Sequence, residues 1–318
     1  MKSYHVKPYD IITCVFKETI MERRQFIKNG LLAVAGLSIS GLVRREGRGV
    51  ISAEEVHPEI FVAKGGNPEE LTNRVINGAG GMSKFVRRGN KVVIKPNIAW
   101  NRTVEQGANT HPEVVATLVK LCKKAGASEV VVIDNPCNPW NVTYVTTGIK
   151  EATERVGGVV RPPLKFRKVV IEGARILKEA EVLEEVLDAD VLINVPVAKV
   201  HGGAKVTISM KNLMGVVKDR GFFHRNDLHR CIAEINSYIR PALCVVDATR
   251  VLLTSGPQGP GIVNKMGVVA AGTDFVAIDA FGTKEFLGKN ILDIPHICIA
   301  SEMKLGISDL ARVKIKNL

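Results

Sequence analysis

The chain of 318 residues carries 44 Lys and Arg against 32 Asp and Glu, a net charge of +12, with 46% hydrophobic and 5% aromatic residues. That mixture excludes a disordered, collagenous or coiled-coil chain and belongs to a protein that builds a core. Residues 1–53 hold nine of the basic and four of the acidic side chains, leaving 35 against 28, or +7, beyond them. With no block of like charge and few aromatic rings to stack on bases, this excess argues against a nucleic-acid partner and for a small anionic ligand.

The first readable element is a targeting segment. Arg23-Arg24, followed by Phe26 and Lys28, precedes a charge-free run from Gly30 to Val43. That run is too short for a mature transmembrane helix, and the pattern resembles a twin-arginine export signal. The residues before Met21 then read as an over-extended start. Ile51-Ser52-Ala53 is an imperfect processing site, and a signal helix retained as an anchor is the alternative. The expected organisation is therefore a signal segment over residues 1–53 and a single α/β domain over 54–318. The expected partner of the first is the twin-arginine export machinery, and the expected location is extracytoplasmic.

Beyond residue 54, short apolar runs at Lys91–Lys95, Glu129–Asp134, Val191–Val195, Leu243–Asp247 and Gly267–Ala271 predict strands covered on both faces. Between the first two, Pro112 suits a first helical position. Val114, Leu118, Leu121 and Ala125 form a stripe, and Gly126 ends the helix. Val182, Leu183, Val186 and Leu187 predict a helix before Asp190. Asn226 reads as the N-cap of another helix, whose face is Leu228, Ile232, Ile235 and Ile239. Alternating strands and helices predict a largely parallel open sheet with helices on both faces, as one unit or two intertwined subdomains. In such sheets ligands collect at the carboxyl ends of the strands.

Cations gather after the third strand. Lys199, His201, Lys205, Lys211, Lys218 and Arg220 lie within 22 positions, with Gly202-Gly203 permitting close backbone approach. The segment alternates like a strand through Val206, Ile208 and Met210, and repeats like a helix through Met210, Leu213, Met214 and Val217, so its local structure stays open. A lysine among apolar residues is pushed toward neutrality, where histidine already titrates, so Lys199, His201 and Lys211 are candidate catalytic acid–base groups. Lys95 and Asn97 follow the first strand. His111 lies in Asn109-Thr110-His111-Pro112, where a helix N-terminus favours an anion. Asp134 and Asp247 read as strand ends able to ligate a divalent metal, with His201 alongside. Gly256–Gly261, rich in Gly and Pro, reads as a cover for the site.

The motifs that are missing narrow the chemistry. The chain has no nucleotide-binding glycine fingerprint, nucleophile elbow or His-Glu-x-x-His pattern. Of six cysteines none forms Cys-x-x-Cys, so no iron–sulfur cysteine motif is written in this chain. Cys122, Cys231 and Cys244 sit in apolar runs and read as core.

The combination of IKPN at 94–97, NTHPEVV at 109–115, VLINVPVAKVHGGAKVTISMKNLMGVV at 191–217 and GTDFVAIDA at 272–280 resembles the family catalogued as domain of unknown function 362. Many members of that family add a ferredoxin-like module, which this sequence does not contain. The resemblance implies that Lys95, Asn97, His111, Lys199, His201, Lys211 and Asn212 share one site; Lys205 and Ser209 lie in the same segment as candidate ligand-binding residues. Three functions follow as expectations. The first is an enzyme that binds a carboxylate- or phosphate-bearing molecule, held by Lys95 and Lys211 and oriented by Asn97 and Asn212. The second is a cofactor- or metal-carrying accessory to a redox partner protein. The third is a solute-binding protein.

Overall fold

The computed structural model describes residues 57–318, within a contact unit that begins beyond Glu55. The expected signal and processing segments lie outside the described residues. Among those residues no helix is long and apolar enough to cross a membrane.

One large sheet organises the chain. Its strands are β1 (Glu59–Lys64), β2 (Lys91–Pro96), β3 (Glu129–Val132), β4 (Val159–Val160), β7 (Val191–Val195), β8 (Val197–His201), β9 (Lys205–Thr207), β10 (Leu243–Leu252), β11 (Val263–Asn264), β12 (Val268–Gly272) and β13 (Lys314–Asn317). The principal order is β13-β1-β12-β10-β7-β2-β3-β4, and β5 (Phe166–Val170) pairs with β6 (Glu179–Leu183) in a separate ribbon. Strands β10, β7, β2, β3 and β4 run parallel. The fold is α/β with a sheet that is parallel through its middle.

Each central strand is apolar on both sides because both sides are covered. Val92 and Ile94 enter one core with Val130, Val132, Val191 and Ile193. The residues between them, Val93, Val131 and Leu192, enter the other. On the first face lie α1 (Pro68–Gly78), α2 (Pro112–Lys124), α3 (Trp140–Thr146) and α4 (Ile149–Arg155). On the second lie the short turns α5 (Glu184–Leu187), α6 (Ser209–Asn212) and α7 (Gly221–Arg225), with the longer α8 (Leu228–Tyr238), α9 (Phe275–Glu285) and α10 (Pro295–Glu302). The two cores are the two sides of one sheet.

Several local expectations are corrected. Val182 and Leu183 end strand β6, and the helix before Asp190 shrinks to the single turn α5, because Phe166–Val170 offers a strand partner for this stretch. The N-cap of α8 is Asp227, whose carboxylate accepts the Arg230 N–H at 2.9 Å, whereas Asn226 closes the preceding α7. Strand β12 is antiparallel to β10. A parallel return requires a crossover of a dozen or more residues, usually a helix, and the only element between β10 and β12 is β11, which folds back onto β10. Asp247 lies inside β10 rather than at its end.

The topology marks one place for a ligand. From β2 the chain moves outward to β3 and β4, then returns to place β7 on the other side of β2. Such a reversal opens a crevice at the carboxyl ends of the two diverging strands. Lys95 and Asn97 leave β2 there, and Asn194 and Val195 end β7.

Candidate functional site

A cavity of about 330 Å³ opens at this reversal, walled by Lys95, Asn97, Asp134, Lys199, His201, Lys211, Asn212, Arg220 and His224, with Trp100, Cys137, Thr207, Gly215 and Pro257 completing it. Six of the nine residues proposed from sequence as catalytic or ligand-binding line it: Lys95, Asn97, Lys199, His201, Lys211 and Asn212. Asp134, expected as a metal ligand, joins them. Pro257 brings the Gly256–Gly261 loop to the rim.

The segment after β7 divides at Ile208. Before it, β9 pairs with β8 so that Thr207 faces Lys199 and Lys205 faces His201. After it, α6 is anchored by side chains from two other elements. The Asp279 carboxylate accepts the N–H groups of Ser209 at 2.7 Å and Met210 at 3.1 Å. The Asn194 amide donates to the Ser209 carbonyl and hydroxyl, each at 2.9 Å. Met210, Leu213 and Met214 then fill the core, which leaves Lys211 and Asn212 on the cavity wall.

The three lysines differ in their partners, and the difference assigns their work. Lys95 Nζ donates to the Pro96 carbonyl at 2.8 Å and to Asn212 Oδ1 at 2.9 Å, and pairs with Asp134 Oδ1 at 2.8 Å. Three acceptors exhaust an ammonium group. Lys95 is therefore part of the framework and has no proton left for a ligand, contrary to the expectation that it holds the anion. Burial lowers its pKa, and Asp134 opposes that shift.

Lys199, 1% exposed, donates to Asn97 Oδ1 at 3.2 Å and to the Ala108 carbonyl. It has no carboxylate partner among the described residues. Burial, then repulsion from Lys211, pushes its pKa down to about 7. Lys211 has neither a hydrogen bond nor an ion pair among the described residues, and burial pushes it down to about 8. Beside it, Arg220 donates to the carbonyls of Asn135 and Pro136. Across the hairpin from Lys199, the hydroxyl of Thr207, 3% exposed, has no hydrogen-bond partner among the described residues.

Asn212 is saturated. Its Oδ1 accepts from Lys95 and from Asn97 Nδ2 at 2.9 Å, and its Nδ2 donates to Asn194 Oδ1 at 2.8 Å and to the Lys95 carbonyl at 3.3 Å. With Asn97 and Asn194 it forms an amide chain beneath the cavity rather than a hand on a ligand. Asn194, Arg220, Thr207, Cys137 and His224 were not singled out from sequence as ligand-binding or catalytic residues. Asn194 had a signal, since a polar residue one position before the end of an apolar strand needs a buried partner.

His201 accepts the Ala204 N–H through Nδ1 at 3.1 Å, so in the neutral ring the proton resides on Nε2. Burial, Lys211 and Lys199 push its pKa down to about 3. It is thus a neutral donor in the free protein, where ordinary histidine chemistry near neutrality was expected. Its ring stacks on His224 at 6.2 Å.

Four proposed residues lie elsewhere. His111 caps α2, accepting the Glu113 N–H at Nδ1, while its own N–H donates to Asp247 Oδ2 at 2.7 Å. The anion expected at that helix start is the chain's own carboxylate. Asp247 also accepts from Thr249 and, at 2.9 Å, from Arg250. Lys205 is exposed at the start of β9, and Ser209 is buried against Asn194 and Cys244. The expected metal ligands have other partners. Asp134 is taken by Lys95 and the N–H groups of Ile98 and Asn135, and among the described residues no three His, Cys, Asp or Glu converge as ligands.

The family model described as Domain of unknown function (DUF362) matches residues 92–284, and the chain belongs to that family. Over 249 residues, 73% of each chain, it is 28% identical to the thylakoid-associated protein sll1697 of Synechocystis. Among solved structures, the lactate racemase apoprotein from Thermoanaerobacterium thermosaccharolyticum matches with a TM-score of 0.42 at 13% identity, over 65% of this chain and 54% of that one. A protein from Thermotoga maritima gives 0.40 at 12%, over 74% of this chain and 60% of its own. The chain thus spans little more than half the length of those two structures, and no activity follows from likeness at that level.

Proposed function

We propose that the cavity binds a small organic anion, carboxylate- or phosphate-bearing, and that the protein is an enzyme acting on it by proton transfer. Lys211 carries the proposal: a half-buried cation on the cavity wall, without a hydrogen bond or ion pair among the described residues, is stabilised by a ligand that supplies the counter-charge. Lys211, Arg220 and Thr207 hold the anion. Lys199, which burial pushes down to about 7, takes the substrate proton, and the His201 N–H donates to the oxygen on which charge develops. Lys95, Asp134, Asn97 and Asn212 keep this wall rigid.

Titration calorimetry with phosphate and with short carboxylates tests binding, and proton NMR of the same carboxylates in D2O tests turnover. Binding that disappears in Lys211→Ala, with deuterium exchange that disappears in Lys199→Met, is the expected result. Binding without exchange supports a solute-binding protein instead, and absence of binding refutes the proposal.

We also infer that the chain is exported by the twin-arginine route, which the Arg23-Arg24 pair and the following apolar run support. Replacement of both arginines by lysine should leave the protein in the cytoplasmic fraction. Unchanged fractionation would refute export by this route.

A further inference from the structure

We propose that Lys199 forms a Schiff base with a small carbonyl compound bearing a carboxylate or phosphate, its Nζ being held as a neutral amine with the lone pair free for attack. The inference rests on the cavity being an anion site and goes further by naming the reactive group of the substrate, towards which Lys199 acts as the nucleophile in place of the proton acceptor. Two neighbouring lysines provide the contrast. Lys95 meets three acceptors, one of them a carboxylate, as an ammonium requires. Lys199 meets two, both neutral carbonyl oxygens, those of the Asn97 side chain and the Ala108 backbone. An amine has two N–H bonds and one lone pair, so these contacts satisfy it, and the remaining tetrahedral position belongs to the lone pair.

The surroundings favour the amine by the route known to activate lysine nucleophiles, burial beside another cation. Lys199 is 1% exposed, and Lys211 is the leading charged neighbour that lowers its pKa. A neutral amine alone does not select a substrate. Lys211 and Arg220, neither paired with a carboxylate among the described residues, line the same cavity and would fix an anionic group. A 2-oxo carboxylate or a phosphorylated aldehyde or ketone combines both features in one small molecule.

The step balances without a redox partner. The Nζ lone pair attacks the carbonyl carbon and the carbonyl π pair moves to oxygen; the nitrogen, now cationic, loses one proton and the oxygen gains one, giving a neutral carbinolamine. The hydroxyl takes up a second proton and departs as water while the nitrogen lone pair forms the C=N bond, leaving a protonated imine that can release its last N–H proton. His201 Nε2–H and the Lys211 ammonium are the donors on the same cavity wall.

Reductive trapping tests this on the full chain. The protein is incubated near neutral pH with pyruvate, 2-oxoglutarate or glycolaldehyde phosphate in the presence of cyanoborohydride, and intact-mass and peptide analysis follow. A single adduct on Lys199 is expected for at least one compound. An ordinary lysine near pH 7 is almost wholly protonated, so Lys199 should react roughly a hundredfold or more faster than a lysine in a surface peptide. The adduct should vanish in Lys199→Arg and fall when propionate or phosphate, which lack a carbonyl, competes in wild-type protein. The competition arm stands even where the variant misfolds. Adducts spread evenly over surface lysines, or none, overturn the inference. Calorimetric binding of propionate or phosphate separates the two failures: with it, only the Schiff base is lost, and without it the anion site is lost as well.

Discussion

Lys95 Nζ and Asp134 Oδ1 meet at 2.8 Å where β2 and β3 end, and their side chains are 1% and 2% exposed. Asp134 is secured from behind by Tyr144, whose hydroxyl donates to its carbonyl and accepts its N–H. This pair faces the cavity without being available to a ligand. Asp134→Asn would leave an uncompensated ammonium in the interior, a change that costs about 3–5 kcal/mol when a buried pair is broken on one side. Chemical denaturation should show a loss of that order; a loss below about 1 kcal/mol would place the pair among exposed bridges of little weight.

Gly215 covers the same pair. A Cβ there would sit 2.2 Å from Asp134 Oδ1 and 2.7 Å from Lys95 Nζ. Neither atom is free to retreat, since both are held by several hydrogen bonds. Gly215→Ala should therefore destabilise the fold by about 1–3 kcal/mol, as overpacking does, and weaken anion binding together with it. Wild-type stability in this variant would show that the ion pair shifts easily.

Lys211 should separate stability from function. Lys211→Met removes a half-buried cation that has no partner among the described residues and keeps the aliphatic stem, so the melting temperature of the ligand-free protein should rise. The same variant should lose the thermal protection that phosphate or a small carboxylate gives the wild type. A lower melting temperature with protection intact would contradict the assignment of this side chain.

Stability should depend on pH in two windows. In the unfolded chain Lys199 and Lys211 keep protons up to about 10.5, whereas the fold pushes them down to about 7 and 8. Between these limits the unfolded state binds more protons, so their contribution rises with pH; the handicap is full below about 7 and gone above 10.5. His201 and His296, ordinarily near 6.5, are both pushed to about 3 by burial and neighbouring cationic groups. As pH falls from 6.5 toward 3 the unfolded state again gains protons first, and stability drops. Denaturation midpoints across pH should be less acid-sensitive in His201→Gln; an unchanged profile would exclude His201 from the effect.

Periodicity made much of this fold legible. Val191–Val195 forms the strand that its apolar run predicts, and Pro112 opens the helix its stripe describes. Local pattern misled where a distant partner decided the outcome. Val182 and Leu183 have helical spacing, yet Phe166–Val170 claims them as a strand, and β12 reads like its parallel neighbours while its short connection turns it antiparallel. In the cavity, residue types were readable but their saturation was not. Lys95 and Lys211 look alike as letters, and only the fold shows that one has three acceptors and the other none among the described residues. Arg220 was legible only as one cation of a cluster, and Thr207 escaped because a threonine within a strand has no distinctive spacing. Their proximity comes from the return of the chain through α6.

Lysine side-chain NMR on protein labelled with 13C at Cε measures the protonation of Lys199 directly, its signal being identified by its loss in Lys199→Arg. A midpoint near 7 is expected in the ligand-free protein, moving upward when phosphate is added, because a bound anion favours the charged form. A Lys199 midpoint at the ordinary value of 10.5, indifferent to phosphate, would contradict it.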